Sequence, residues 1–210
     1  MSNEVIEDGE MSWNHNTQYH GFVTAALPLA CGRALDVGCG RGALARTLAP
    51  HCGEVVGIDA DPACLVHASL AANLPPNVTF VQGDVSTHQF QPGSFDFVSA
   101  VATLHHLPLR LALQKFSDLL RPGGVLAIVG LYRIATPVDY GISAAALPVS
   151  WAIRALRGEE QVGAPIHDPA ETLRSIRRES ASILPGAILR RRFFFRYTIV
   201  WRKPGWKEPG

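Results

Sequence analysis

The chain has 210 residues, 47% of them hydrophobic and 18% charged, with a formal net charge of +1. That balance suits a globular protein with a full core and excludes a disordered or strongly polyelectrolyte chain. The longest apolar runs, 125–131 and 144–149, are far too short to span a bilayer.

Residues 1–11 carry Glu4, Glu7, Asp8 and Glu10 with no basic residue, the reverse of a signal peptide, and read as an acidic solvated tail. The remainder, 12–210, reads as one domain. It divides into a helical lid (12–30), a core (31–130), a cap and substrate segment (131–185) and terminal strands (186–204). Cys31, Cys39, Cys52 and Cys64 have no metal-ligand spacing, so reduced thiols of a cytoplasmic protein are expected.

The lid reads as one or two helices dense in aromatic and polar residues: Trp13, His15, Tyr19, His20 and Phe22. A strand at 33–37 runs into Gly38-Cys39-Gly40-Arg41-Gly42, and a helix follows at 43–48. A second strand, 55–58, ends at Asp59. Asp61 then caps a helix that has Pro62 at its first position and runs to about Asn73. A third strand, 78–82, ends at Gly83-Asp84, and a fourth, 95–100, ends near Val101.

Leu109, Ala112, Leu113, Phe116 and Leu120 recur at helical spacing and predict a helix over 108–120. Arg121-Pro122-Gly123-Gly124 is expected to break it before a fifth strand at 125–129. Beyond that, 144–156 reads as a helix and 158–165 as a loop. Asp168 to Glu171 resembles a capping box opening a helix that continues through Ile183. One or two strands are expected over 187–203.

Apolar strands alternating with helices call for a parallel sheet covered on both faces. Right-handed crossovers bring every strand's C-terminal end to one edge, where ligands bind. Gly38, Asp59, Asp84 and Val101 all fall there. Glycines let the turn adopt positive φ and let a ligand approach the backbone, and the next helix offers its first N–H groups. A carboxylate at Asp59 suits two ribose hydroxyls, although a strand-end aspartate is often only solvated. At Asp84 the carboxylate suits an adenine amine, with the Val85 N–H beside it; the alternative there is a simple turn.

These residues resemble the class I S-adenosylmethionine-dependent methyltransferase family, in its branch of ubiquinone- and menaquinone-biosynthesis enzymes. ALDVGCGRGALA is similar to the family's glycine loop, VVGIDADP to its ribose strand and VQGDVS to its adenine strand. FDFVSAVATLHHL resembles the strand beneath the methyl donor, and LLRPGGVLAIV the fifth strand. The resemblance implies a Rossmann-like, seven-stranded, mostly parallel sheet with an antiparallel last strand, helices on both faces and a small helical cap. It also implies S-adenosylmethionine as cofactor. Asp36, Gly38 and Gly40 would lie at its methionine part, Asp59 with Ala60 at its ribose, Asp84 and Val85 at its adenine, and Val101 near its sulfonium. Glycines at 38, 40 and 42 do not fit the Gly-x-Gly-x-x-Gly spacing of a nicotinamide site.

The expected reaction is methyl transfer to an O, N or C nucleophile of a small metabolite. His105 and His106 are the candidate bases, since imidazole titrates near neutral pH. Tyr19 is expected to close over the cofactor, while His20, Tyr132, Asp139, Tyr140 and Trp151 are candidates to meet the acceptor. The alternative for each aromatic is core or cap packing. No metal-binding set is expected.

Ten Lys and Arg residues against two acidic ones between Arg174 and Gly210 leave RNA or protein as alternative acceptors. The Arg190-Arg191-Arg192 run equally fits a terminal strand whose arginines reach solvent, which disfavours nucleic acid. A third possibility is a protein that binds the cofactor and transfers nothing.

Overall fold

The computed structural model describes residues 17–135, 169–192 and 195–205. Within these, seven strands form one sheet: β1 (Cys31–Val37), β2 (Cys52–Asp59), β3 (Val78–Gln82), β4 (Phe95–Val101), β5 (Leu120–Leu131), β6 (Ile188–Arg191) and β7 (Arg196–Arg202). Their order is β3-β2-β1-β4-β5-β7-β6. The first five pair in parallel, and β7 runs antiparallel to both β5 and β6. Strand order therefore reverses between β1 and β4, and that is where open α/β sheets form their ligand crevice.

Alternation along β5 divides the core into two layers, as a strand's period of two requires. Val125, Ala127 and Val129 join one cluster with Val23, Leu44, Leu48 and Phe97. That layer is covered by a 3-10 turn (Thr17–Tyr19), α1 (His20–Ala25) and α2 (Ala43–Leu48). Leu126 and Ile128 face the opposite way and meet Leu113, Phe116, Ile176, Tyr197 and Trp201. There the cover is α4 (Leu109–Leu119) and α5 (Leu173–Ile183), joined by an Arg110–Glu179 ion pair at 2.9 Å. Between β2 and β3 lies α3 (Pro62–Ser69), capped by Asp61, whose carboxylate accepts from Ala63 N at 2.9 Å.

Several expected boundaries move for identifiable reasons. Helix α3 stops at Ser69 rather than near Asn73, short of the Pro75-Pro76 pair, which disfavours helical backbone before it. The Arg121-Pro122-Gly123-Gly124 stretch does not separate helix from strand but is absorbed into β5. There it forms an irregularity between the Phe95–Leu120 and Phe97–Val125 pairs. Gly123 at φ +80 makes that deviation possible, and Arg121 is held by an ion pair to Asp96.

The helix expected from Asp168 is capped instead by Thr172, whose hydroxyl accepts from Ser175 N at 3.2 Å. This start is anchored by Arg133 N donating to Glu171 O at 2.7 Å. Consequently α5 belongs to the layer covering the sheet, which narrows the part of 131–185 able to cap the ligand edge. The helix expected at 144–156 and the loop at 158–165 lie outside the described residues.

Candidate functional site

Register places the ends of the parallel strands together. Val37 pairs with Ile58 and Ala100, Asp59 with Gln82, and Val101 with Val129. The glycine loop leaves β1 at this edge with Gly38, Gly40 and Gly42 at φ +67, +52 and +73. An L side chain is strained in that region, so the loop's path depends on glycine.

The loop is tied to β2. Gly38 N and Cys39 N donate to Ile58 O at 2.8 and 3.1 Å, and Gly40 N donates to Asp59 Oδ2 at 2.7 Å. Asp61 N donates to the other carboxylate oxygen at 2.9 Å. Asp59 is thereby fixed in orientation, while each oxygen retains a lone pair for a further donor such as a ribose hydroxyl. Because the N–H groups of Gly38, Cys39, Gly40 and Gly42 are engaged, the loop's main offer to a ligand is close approach. Helix α2, six residues long, adds only a small dipole to the donors expected of it.

Gly38 is also closed off from the β4 side. A methyl group there would overlap the Thr103 side chain. The Thr103 hydroxyl lies 3.0 Å from Val37 O and 3.1 Å from Val101 O, stitching the two strands at the order reversal. Between them Ala102 holds φ +53, a strained conformation fixed by its N–H donating to Val129 O at 2.8 Å. At Gly40, by contrast, an added methyl would meet nothing within 4 Å, leaving a cradle beside Asp59.

Asp36 is 2% exposed. Its Oδ1 accepts from Ser99 Oγ at 3.0 Å, while Oδ2 is buried with no partner. Burial pushes this carboxyl up to about 7, the Ser99 hydrogen bond opposes the rise, and the nearby Asp59 charge adds to it. A buried acceptor in this state fits a cationic group brought by a ligand, such as the ammonium of a methionine moiety.

The other expected residues take varied places. Ala60 and Asp84 are exposed, Val85 is buried and Val101 half-buried. Asp84 Oδ1 accepts from Ser86 N at 2.8 Å. Just past Thr103, a 3-10 turn holds half-buried His105 and exposed His106 with ring centroids 3.9 Å apart. Tyr132 is buried, and its hydroxyl accepts from Arg191 Nε at 2.8 Å. His20 is buried with Nδ1 3.4 Å from Thr47 Oγ1, and Tyr19 stacks on Arg196 at 5.7 Å. Asp139, Tyr140 and Trp151 lie outside the described residues. Among the described residues no group of three His, Cys, Asp or Glu side chains is placed to hold a metal. Nor is any helix there long and apolar enough to cross a membrane.

Two of the three consecutive arginines lie on opposite faces of the sheet. Arg191 lies on Tyr132, whereas Arg192 lies over Phe22 at 5.5 Å and donates to Thr198 Oγ1 at 3.3 Å. Sequence reasoning missed Ser99, Thr103 and Arg196. Ser99 leaves a trace as a polar residue inside an apolar strand, FDFVSAV, and Arg196 as a lone charge in the mostly apolar sequence FFFRYTIV. Thr103 leaves none.

The "Methyltransferase domain" family model matches residues 35–128, the span from β1 to within β5. The chain is 32% identical over 207 residues to the "uncharacterized methyltransferase Rv0089" of Mycobacterium tuberculosis, covering 93% of this chain and 99% of that one. It is 36% identical over 126 residues to a ubiquinone biosynthesis O-methyltransferase of Xanthomonas campestris, covering 58% and 52%. The fold is similar to that of the N-methyltransferase NodS of Bradyrhizobium japonicum, solved with S-adenosyl-L-homocysteine. The TM-score is 0.62 at 18% identity, covering 90% and 87% of the two chains. With a glycine loop braced by Asp59 and near full-length likeness to a methyltransferase, this chain belongs to the class I S-adenosylmethionine-dependent methyltransferases, and S-adenosylmethionine is its cofactor.

Proposed function

We propose that the protein methylates an O, N or C nucleophile of a small-molecule acceptor held at the C-terminal edge of the sheet, beside the tip of β4. The observation that carries this reading is the convergence at the order reversal. Asp59 is locked by Gly40 and Asp61, Asp36 has an unpartnered oxygen, and Thr103 stitches β1 to β4.

When bound, the cofactor supplies a methyl group already activated by a positive sulfur. The chain's own residues then hold and orient. Asp59 would accept from the ribose, Asp84 and Val85 would hold the adenine, Asp36 would stand by the methionine ammonium, and Val101 would lie near the sulfonium. Tyr19 closes over the cofactor from the lid. Such positioning is worth roughly 7–11 kcal/mol in favourable cases, so it dominates the chemistry. His105 is the proposed base when the nucleophile arrives protonated, a contribution of about 10²–10⁴-fold, and His106 is the second candidate. His20, Tyr132, Tyr140 and Trp151 are the proposed acceptor contacts, with Tyr132 acting through the position of Arg191 rather than through a free hydroxyl.

The partition of Arg191 and Arg192 onto aromatic rings on opposite faces supports a small acceptor over nucleic acid, because it breaks up a continuous basic strip. A labelled-methyl transfer screen against a metabolite extract, with Asp59→Ala as control, tests the reading. Label in small products, lost in the variant, is expected; label only in RNA or protein contradicts it.

A further inference from the structure

Arg196 stands out once the cofactor residues are assigned. It begins β7 opposite Leu131, at the sheet edge that carries the site, and is only 7% exposed. Among the described residues its buried Nε and Nη1 have no hydrogen-bond partner, and no carboxylate pairs with it. Two residues along β7, on the same face, Thr198 Oγ1 is taken by Arg192. Above it lies the Tyr19 ring of the lid. A stacked ring satisfies part of a guanidinium but none of its N–H donors, and a buried cation without a counter-ion is costly.

Position indicates what the missing partner belongs to. β7 is two strand spacings from β4, about 10 Å, on the side away from β1, β2 and β3, where the cofactor carboxylates Asp36, Asp59 and Asp84 sit. An anion bound there reaches toward the β4 tip from the acceptor's side.

We propose that the acceptor carries a carboxylate or phosphate group, and that Arg196 binds this group beneath the lid formed by residues 17–25. This rests on the methyltransferase reading above and narrows it to acidic acceptors. Arg196 is then the specificity determinant: it recognises the acid and, with Tyr19 closed over it, fixes the distance from that acid to the methylated atom. A neutral isostere of the acceptor leaves the guanidinium unpaired and is rejected.

The test uses the full chain, isotope-labelled at arginine, saturated with S-adenosylhomocysteine and titrated separately with inorganic phosphate and with benzoate. The Arg196 Nε–H resonance, assigned by its absence in Arg196→Lys, is expected to shift saturably with at least one of them. Calorimetric affinity for that anion is expected to fall at least about tenfold in Arg196→Gln, with partial recovery in Arg196→Lys. Affinity for S-adenosylhomocysteine should change by no more than about twofold in either variant, and Arg202→Gln on exposed β7 surface should change neither value. If Arg196→Gln does not fold, the wild-type resonance decides the matter.

An unmoved resonance, or equal anion binding in wild type and folded Arg196→Gln, overturns the proposal. Lost S-adenosylhomocysteine affinity in Arg196→Gln also overturns it, by assigning the guanidinium to the cofactor's carboxylate. Failure of the wild type to bind S-adenosylhomocysteine at all is a separate result, and defeats the reading beneath.

Discussion

Gly38 and Gly40 share a positive φ yet face different surroundings, and their alanine variants should differ accordingly. At Gly38 a methyl group overlaps Thr103, so Gly38→Ala combines backbone strain with overpacking and should cost about 1–3 kcal/mol or more. Gly40→Ala adds its methyl to open space, so only strain of roughly 1–2 kcal/mol remains, but the methyl occupies the cradle beside Asp59. Urea denaturation should therefore rank Gly38→Ala as the less stable, while a folded Gly40→Ala binds S-adenosylhomocysteine more weakly than wild type. A Gly38→Ala protein as stable as wild type contradicts the packing described.

Asp36 gives a pH signature at the same scale. Burial raises its carboxyl from an ordinary 3.8 to about 7, so the native state keeps a proton that the unfolded chain has lost. Between these values the native state binds more protons, and this group's contribution to stability falls as pH rises, with the loss complete above about 7. Asp36→Asn removes the contribution. Relative to wild type, the variant should gain stability at pH 8 compared with pH 5, and lose cofactor affinity. Urea midpoints that differ by the same amount at both pH values contradict the assignment.

Among the elements, β5 and β7 form the junction beside the proposed acceptor side. Gly130 lies opposite Tyr197, and a methyl group at Gly130 would strike the tyrosine ring. Gly130→Ala should lower stability by about 1–3 kcal/mol, seen as a lower melting temperature, while a folded sample keeps its S-adenosylhomocysteine affinity because β1 and β2 are untouched. Equal melting temperatures count against the described packing.

The parallel strands were legible because each contains a local apolar run, and in β1, β2 and β3 a glycine or a polar residue marks where the run stops. Boundaries set by tertiary contacts were not. Arg121-Pro122-Gly123-Gly124 reads as a break by local preference, but pairing of Gly123 and Gly124 with Lys203 carries it into the sheet. The α5 cap falls at Thr172, where Arg133, two residues past β5, holds the neighbouring Glu171; Asp168 lies outside the described residues.

Across the whole molecule, the proposed cofactor half of the site was more legible than the proposed acceptor half. Gly38, Asp59 and Asp84 each sit at the end of their own strand, so parallel topology alone assembles them. Arg192 and Arg196 meet Phe22 and Tyr19 only because β7 inserts beside β5 and the lid folds across that edge, an arrangement without local spacing. The same assembly predicts how the protein treats salt. Transfer to a small acceptor involves few charge contacts and should change little between low and physiological ionic strength. Transfer to RNA would weaken steeply over that range.

The loop from Gly38 to Gly42, braced by Asp59, is the proposed seat of S-adenosylmethionine. Calorimetric titration of the folded wild type and of Asp59→Ala with S-adenosylhomocysteine decides whether it is. Saturable one-site binding by the wild type is predicted, weakened at least about tenfold by the loss of a carboxylate acceptor for the ribose. No binding by the wild type, or undiminished binding by a folded Asp59→Ala, would contradict it.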